Sequence, residues 1–153
     1  MPNTNEKDIE EKQKKWVERR AGCSPHGVFK RLSATIEDDV NRFNELSGAT
    51  LMAQGHYCCQ REDNRVVFVG VERVPGTVRR ELKHVAVRLE EDCTSVYCKT
   101  EEDRNVERVF DIFPEWNHET LNCDLLVDGK NHTIWQLSDM AIGDLLFGRR
   151  PNY

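Results

Sequence analysis

The side chains whose types and spacing suit chemistry gather in two short strings, Cys23-Ser24-Pro25-His26 and His56-Tyr57-Cys58. Residues two apart on a strand emerge on one face, so His56 and Cys58 would present a nitrogen and a sulfur together. A Cys-x-x-His turn would add Cys23 and His26, completing a donor set of the kind Zn²⁺ takes. Structural zinc sites, however, place their ligands at tight, recurring spacing on turns, and these two halves stand about 30 residues apart. Buried thiols and surface histidines are the plainer reading, so neither a metal nor a cofactor is expected.

A cysteine nucleophile is the next chemistry the residue types allow, with Cys58 or Cys98 beside His84 or His118. It needs a thiol whose pKa is lowered by a helix start or a nearby cation. Only Cys23 comes near such a position. The carboxylate runs Glu37-Asp38-Asp39, Glu90-Glu91-Asp92 and Glu101-Glu102-Asp103 fall on a helix's polar face and in turns. Acid–base catalysis instead needs two carboxyls held in a partly dry cleft. The chain has no Walker loop, G-x-S-x-G or H-E-x-x-H string, and no catalytic residue is assigned.

The six cysteines contain no Cys-x-x-Cys pair, which excludes a thioredoxin-type redox site and a zinc ribbon. The N-terminal string MPNTNEKDIEEKQKKW lacks the apolar core of a secretory signal. Reduced thiols in the cytoplasm are therefore expected. Cys123, in the alternation Leu121-Cys123-Leu125-Val127, reads as a small core hydrophobe.

Charge narrows the partners. The chain of 153 residues carries 27 acidic and 22 basic side chains, a net charge of -5, and the excess acid lies in residues 48–128, with sixteen acids and ten bases. A protein that grips phosphates shows a basic stripe, so nucleic acid is not the expected partner. The longest apolar run is Val66 to Val71, far short of the roughly 18 residues a spanning helix requires, so no membrane association is expected.

These side chains must be positioned by elements that the hydrophobic period reveals. Residues 7–21 are strong helix formers with a thin apolar stripe of Ile9, Trp16 and Val17. Ser24 is placed as an N-cap and Pro25 at the first helical position, opening a second helix to Leu46. Its buried stripe runs through Val28 or Phe29, Leu32, Ile36, Val40, Phe43 and Leu46 or Ser47, and Ser47-Gly48 ends it. After Gly48 the period falls to two. Six or seven strands are predicted over 50–60, 65–74, 80–90, 94–100, 106–113, 120–127 and 131–137.

The separators are short and polar, with Asp128-Gly129 as a tight hairpin, so the strands form an antiparallel meander. Val85, Val87 and Leu89 point to the core, and Ser138 caps a short helix running to Phe147. The fold class is α+β, with two N-terminal helices, the meander and a C-terminal helix. Residues 1–22 form a charged helical extension, 23–148 a single domain, and 149–153 a tail with nothing to order it.

In outline, a helix, an acidic antiparallel meander and a closing helix are similar to frataxin-like domains and to several small protein-binding folds. That likeness is one of topology and carries no site residue across. By elimination the expected function is a non-catalytic protein-interaction or regulatory module, with another protein as partner. Trp16 on an otherwise polar helix, with Arg19 and Arg20, supplies the aromatic and arginine anchors typical of interfaces. The second class is a small-ligand or metal-binding domain, with a pocket between sheet and second helix near His56, Cys58 and His84.

Overall fold

A computed structural model describes residues 15–52, 57–71, 83–100 and 106–147. Residues 15–21 are helical (α1), followed by the long helix α2 (Pro25–Met52), seven strands and a last helix α3 (Ile134–Phe147). The strands are β1 (Tyr57–Glu62), β2 (Val66–Val71), β3 (Lys83–Leu89), β4 (Thr94–Thr100), β5 (Glu107–Asn117), β6 (Asn122–Val127) and β7 (Lys130–His132). They hydrogen-bond in chain order, every pair antiparallel, which is the expected meander in an α+β fold.

Helix α2 starts where its sequence directs. Ser24 Oγ accepts the Gly27 amide at 3.0 Å and the Ser24 carbonyl accepts the Val28 amide at 2.9 Å, satisfying amides that have no partner inside the helix. The stripe spaced by three and four then meets the sheet. Val28, Leu32, Ile36 and Val40 are at most 1% exposed and pack over Val67, Val69, Val87 and Val96. Burial of this order contributes about 1.5–3 kcal/mol per large side chain. Val85 and Val87 face this core as expected, so His84, Ala86 and Arg88 face away from it.

Three boundaries differ from the sequence reading, each for a local reason. Helix α2 continues past Gly48 to Met52, and β1 begins only at Tyr57. The Asn44 side chain brackets that strand start, donating to the Tyr57 carbonyl at 2.8 Å and accepting its amide at 3.2 Å. Strand β5 runs through Pro114 to Asn117, where a break was expected. Its first half pairs with β4 and its second with β6, so Pro114 lies beyond the last β4 partner and its missing N–H leaves no ladder bond unmade.

The third boundary concerns α3, which starts at Ile134 rather than after Ser138. Thr133 Oγ1 accepts the Gln136 amide at 3.1 Å, and Gln136 Oε1 accepts the Thr133 amide at 3.0 Å. This reciprocal Thr-x-x-Gln box ends β7 at His132. Ser138 is instead fully buried inside the helix and donates to Asp39 Oδ2 of α2 at 2.6 Å, tying the two helices together over the sheet. The Asp128-Gly129 hairpin is formed as expected, with φ of 51° and 75° at its two central residues.

The cysteines overturn the expectation of reduced thiols throughout. Cys23 and Cys123 form a disulfide across a sequence separation of 100, and Cys123 is therefore a cross-link rather than an inert core residue. The turn between α1 and α2 lands on the start of β6 and brings the two Cα atoms to 5.4 Å. Spacing along the chain does not show such a pairing. The expected helix over 7–14, parts of the second and third strands, and the tail 149–153 lie outside the described residues.

Candidate interaction groove

Two of the three residues singled out for binding, Arg19 and Arg20, lie at the seam between α1 and the β5–β6 hairpin. Arg19 Nη1 donates to Asn122 Oδ1 at 3.3 Å, and the Arg20 guanidinium lies 5.6 Å from the centre of the Trp116 ring. Trp16 is half-buried. With the disulfide beside them, Arg19 and Arg20 have their contacts inside the chain, where they hold α1 against β5 and β6.

The exposed apolar surface is elsewhere. Helices α2 and α3 lie side by side on the same face of the sheet, and a groove of about 250 Å³ runs between their outer flanks. Residues at steps of three and four line it from both sides: Asp39, Arg42, Phe43 and Leu46 from α2, and Asp139, Ile142, Leu146 and Phe147 from α3. Trp135 closes its end near the start of α3. Leu46 is 83% exposed, Trp135 70% and Phe147 68%, and no other large apolar side chain among the described residues exceeds 55%. The three most exposed apolar groups thus line one groove.

Aromatic contacts give the groove a fixed floor. The Phe43 ring meets Phe147 edge-on at 5.2 Å and Tyr57 edge-on at 5.6 Å, and the Tyr57 hydroxyl donates to the Leu145 carbonyl at 2.9 Å. From Trp135 to Phe147 the helix rises about 18 Å, the length of roughly three helical turns. The charged side chains that line the groove are Asp39 and Asp139, with Arg42 between them in the chain.

No family model, curated protein or solved structure matches this chain. Argument about function therefore rests on the geometry of its own side chains.

The chemistry considered from the sequence finds little support in that geometry. Cys23 is bonded to Cys123 and has no thiolate to offer a metal, while His56 lies outside the described residues. Among the described residues no three His, Cys, Asp or Glu side chains converge as a metal site. Burial, aided by the Glu37 charge, pushes the Cys59 thiol up to about 11, and burial likewise raises Cys93. A thiol at that value is about one part in 10⁴ thiolate at pH 7, the opposite of an activated nucleophile.

The pocket expected between sheet and second helix is filled by the core. His84 lies on the far side of the sheet, over Gly70, where an added Cβ would come within 2.6 Å of its Nδ1. It lines a cavity of about 380 Å³ there with Cys98, Phe68, Arg88 and Tyr97, so of the Cys–His pairs named from the sequence Cys98 and His84 share a cavity. The polar groups on that face are engaged with one another. The guanidinium groups of Arg88 and Arg108 lie 5.6 and 5.7 Å from the Tyr97 ring, whose hydroxyl donates to Glu90 Oε1 at 2.9 Å. Arg108 Nε and Ser95 Oγ both donate to Asp111 Oδ1 at 2.7 Å.

Sequence reasoning ended the buried stripe of the second helix on Leu46 or Ser47, whereas Leu46 is exposed. It missed Trp135 and Phe147 as surface anchors because it placed Trp135 on a strand and closed the helix stripe on Ile142, Leu145 and Leu146. The available signal was Thr133-x-x-Gln136, which starts the helix at Ile134. On that helix Trp135 falls away from the buried row of Ile134, Leu137, Ser138, Ala141 and Ile142.

Proposed function

We propose that this domain is a non-catalytic protein-interaction module whose α2–α3 groove receives an amphipathic, basic helix of a partner protein. One observation carries the reading: the three most exposed large apolar side chains among the described residues, Leu46, Trp135 and Phe147, line a single groove. Contiguous exposed apolar surface with a polar rim is characteristic of partner sites. A helix laid in such a groove buries anchors at i, i+3/i+4 and i+7, and the span from Trp135 to Phe147 accommodates them. Asp39 and Asp139 on its lining, beside Arg42, complement Lys or Arg on the partner's polar flank. Trp135 supplies the large aromatic anchor that dominates such interfaces. Trp16, Arg19 and Arg20 keep α1 in place in this reading rather than contacting the partner first.

A selection of displayed 16-residue peptides on the full chain tests it. The wild-type protein should enrich peptides with helically spaced apolar residues and flanking Lys or Arg. The Trp135→Asp/Phe147→Asp variant, with an unchanged melting temperature, should not. Equal enrichment by both proteins, or enrichment of peptides without that pattern, would refute the groove as the binding surface.

A further inference from the structure

A second cavity lies around the N-terminus of α3, next to the α2–α3 groove and sharing Trp135 with it. A cleft of about 640 Å³ opens between the α1–α2 corner, strands β6 and β7, and the first residues of α3. Its floor includes Leu125 and Ile134, and its walls include Arg19, Arg31 and Trp135. We propose that this cleft binds a small organic anion, a carboxylate or phosphate on an apolar body, with the anionic group at the N-terminus of α3.

Two separate features point to such a ligand. First, α3 has fourteen residues, and its first amides face this end. Thr133 takes the amides of Gln136 and Leu137, whereas helix geometry leaves those of Ile134 and Trp135 without an intrahelical acceptor. Unpaired amides at the positive end of the helix dipole favour an oxyanion. Second, His132 lines the same cleft, is only 8% exposed, and its Nδ1 has no hydrogen-bond partner. With the proton on Nδ1, the ring is a buried donor left without an acceptor, which is costly, and an oxyanion seated against it supplies that acceptor.

The charges on the walls fit this assignment. Arg19 and Arg31 bring two guanidinium groups, and Arg19 uses a single nitrogen on Asn122. The carboxylates of Glu18 and Asp124 also line the cleft. Asp124 is held by the side-chain amides of Asn117 at 3.1 Å and Asn131 at 3.3 Å. Trp135 and Leu125 provide the apolar contact that a bare inorganic ion would not use, which is why the ligand is assigned an apolar body.

The test is a titration of the ¹⁵N-labelled full chain with benzoate, with phenyl phosphate and with benzyl alcohol as the uncharged control. Saturable shifts of the Ile134 and Trp135 amides with either anion, and none with benzyl alcohol, are expected. The tighter of the two identifies the head group. Arg31 is exposed and its side chain makes no contact that holds the fold, so Arg31→Gln should weaken the anion about tenfold while leaving the melting temperature unchanged. No saturable shift with either anion, equal shifts with benzyl alcohol, or an unaltered affinity in Arg31→Gln would overturn the assignment.

Discussion

Replacing Cys23 and Cys123 together by serine tests the feature of this fold that departs furthest from its sequence. The bond joins residues 100 apart, and closing a loop of that length in the unfolded chain removes conformational entropy worth about 4.7 kcal/mol. Cross-links commonly deliver about 2–4 kcal/mol of such an amount. Some of the difference here has a visible source. Arg19 on Asn122 and Arg20 over Trp116 keep α1 on the hairpin when the bond is absent.

At about 2–4 °C per kcal/mol for a chain of this size, Cys23→Ser/Cys123→Ser should melt about 4–16 °C below wild type. Thermal unfolding followed by circular dichroism, with and without a phosphine reductant, reads this directly. Reductant should lower the wild-type melting temperature to the level of the variant and leave the variant where it was. Intact mass after alkylation in denaturant, without reductant, should show four modified cysteines: Cys58, Cys59, Cys93 and Cys98. Six modified cysteines, or a wild-type melting temperature that ignores reductant, would refute the cross-link and the entropy argument built on it.

Three further outcomes follow from single contacts. Gly129 sits at φ 75° with nothing within 4 Å of an added Cβ, so Gly129→Ala should cost about 1 kcal/mol by backbone strain alone. A loss near zero in urea unfolding would show that the turn relaxes. Burial pushes the Asp111 carboxyl up, but hydrogen bonds from Arg108 and Ser95 and the Arg108 charge outweigh it and hold the group below its ordinary 3.8. A carboxyl lowered on folding stabilises fully above its unfolded pKa, and that contribution is lost as pH falls through the folded value. Asp111→Asn should therefore flatten the acid limb of stability against pH below about 4, and an unaltered limb would discount the Arg108–Asp111 pair. Leu46→Asp, at a position 83% exposed, should leave the melting temperature within about 2 °C while abolishing peptide capture by the groove. A large loss of stability would instead make Leu46 part of the packed fold.

Much of the architecture was legible because local signals agreed with the fold. Ser24-Pro25 and the stripe from Val28 to Val40 specify a capped helix with one buried face, and the period-two runs separated by polar turns specify a meander. Two misread signals were outweighed by tertiary contacts, whereas the start of α3 had a local signal, Thr133-x-x-Gln136, that was overlooked. Gly48 stops a helix only if nothing carries the next turn onward, and here Asn44 holds β1 beside α2. Ser138 resembles a cap until its hydroxyl is seen buried on Asp39. Of the residues read as anchors for a partner, Arg19 and Arg20 contact the β5–β6 hairpin of their own chain. Neither their partners nor the disulfide partner can be read from spacing, since each contact joins segments about 100 residues apart.

The arrangement also accounts for the two candidate sites lying along α3. The inner face of the sheet is covered by α2 and α3, and the outer face is occupied by its own Arg88–Tyr97–Arg108 stack and the Ser95–Asp111 bonds. Polar groups already paired in this way gain little from a newcomer and must be desolvated to receive one. Helix α3 differs. Its N-terminal amides and the His132 ring have unmet hydrogen-bonding capacity, and its far end carries Phe147 with Leu46 of α2 in water. Unmet capacity, polar at one end and apolar at the other, is what a ligand or partner can satisfy with a net gain. Trp135 lies at the junction, lining both the cleft and the groove. A molecule stacked on that indole from the cleft would alter the surface a helix meets in the groove. The two sites therefore communicate through this one side chain, and prior saturation with the anion should change peptide affinity in wild type but not in Trp135→Ala.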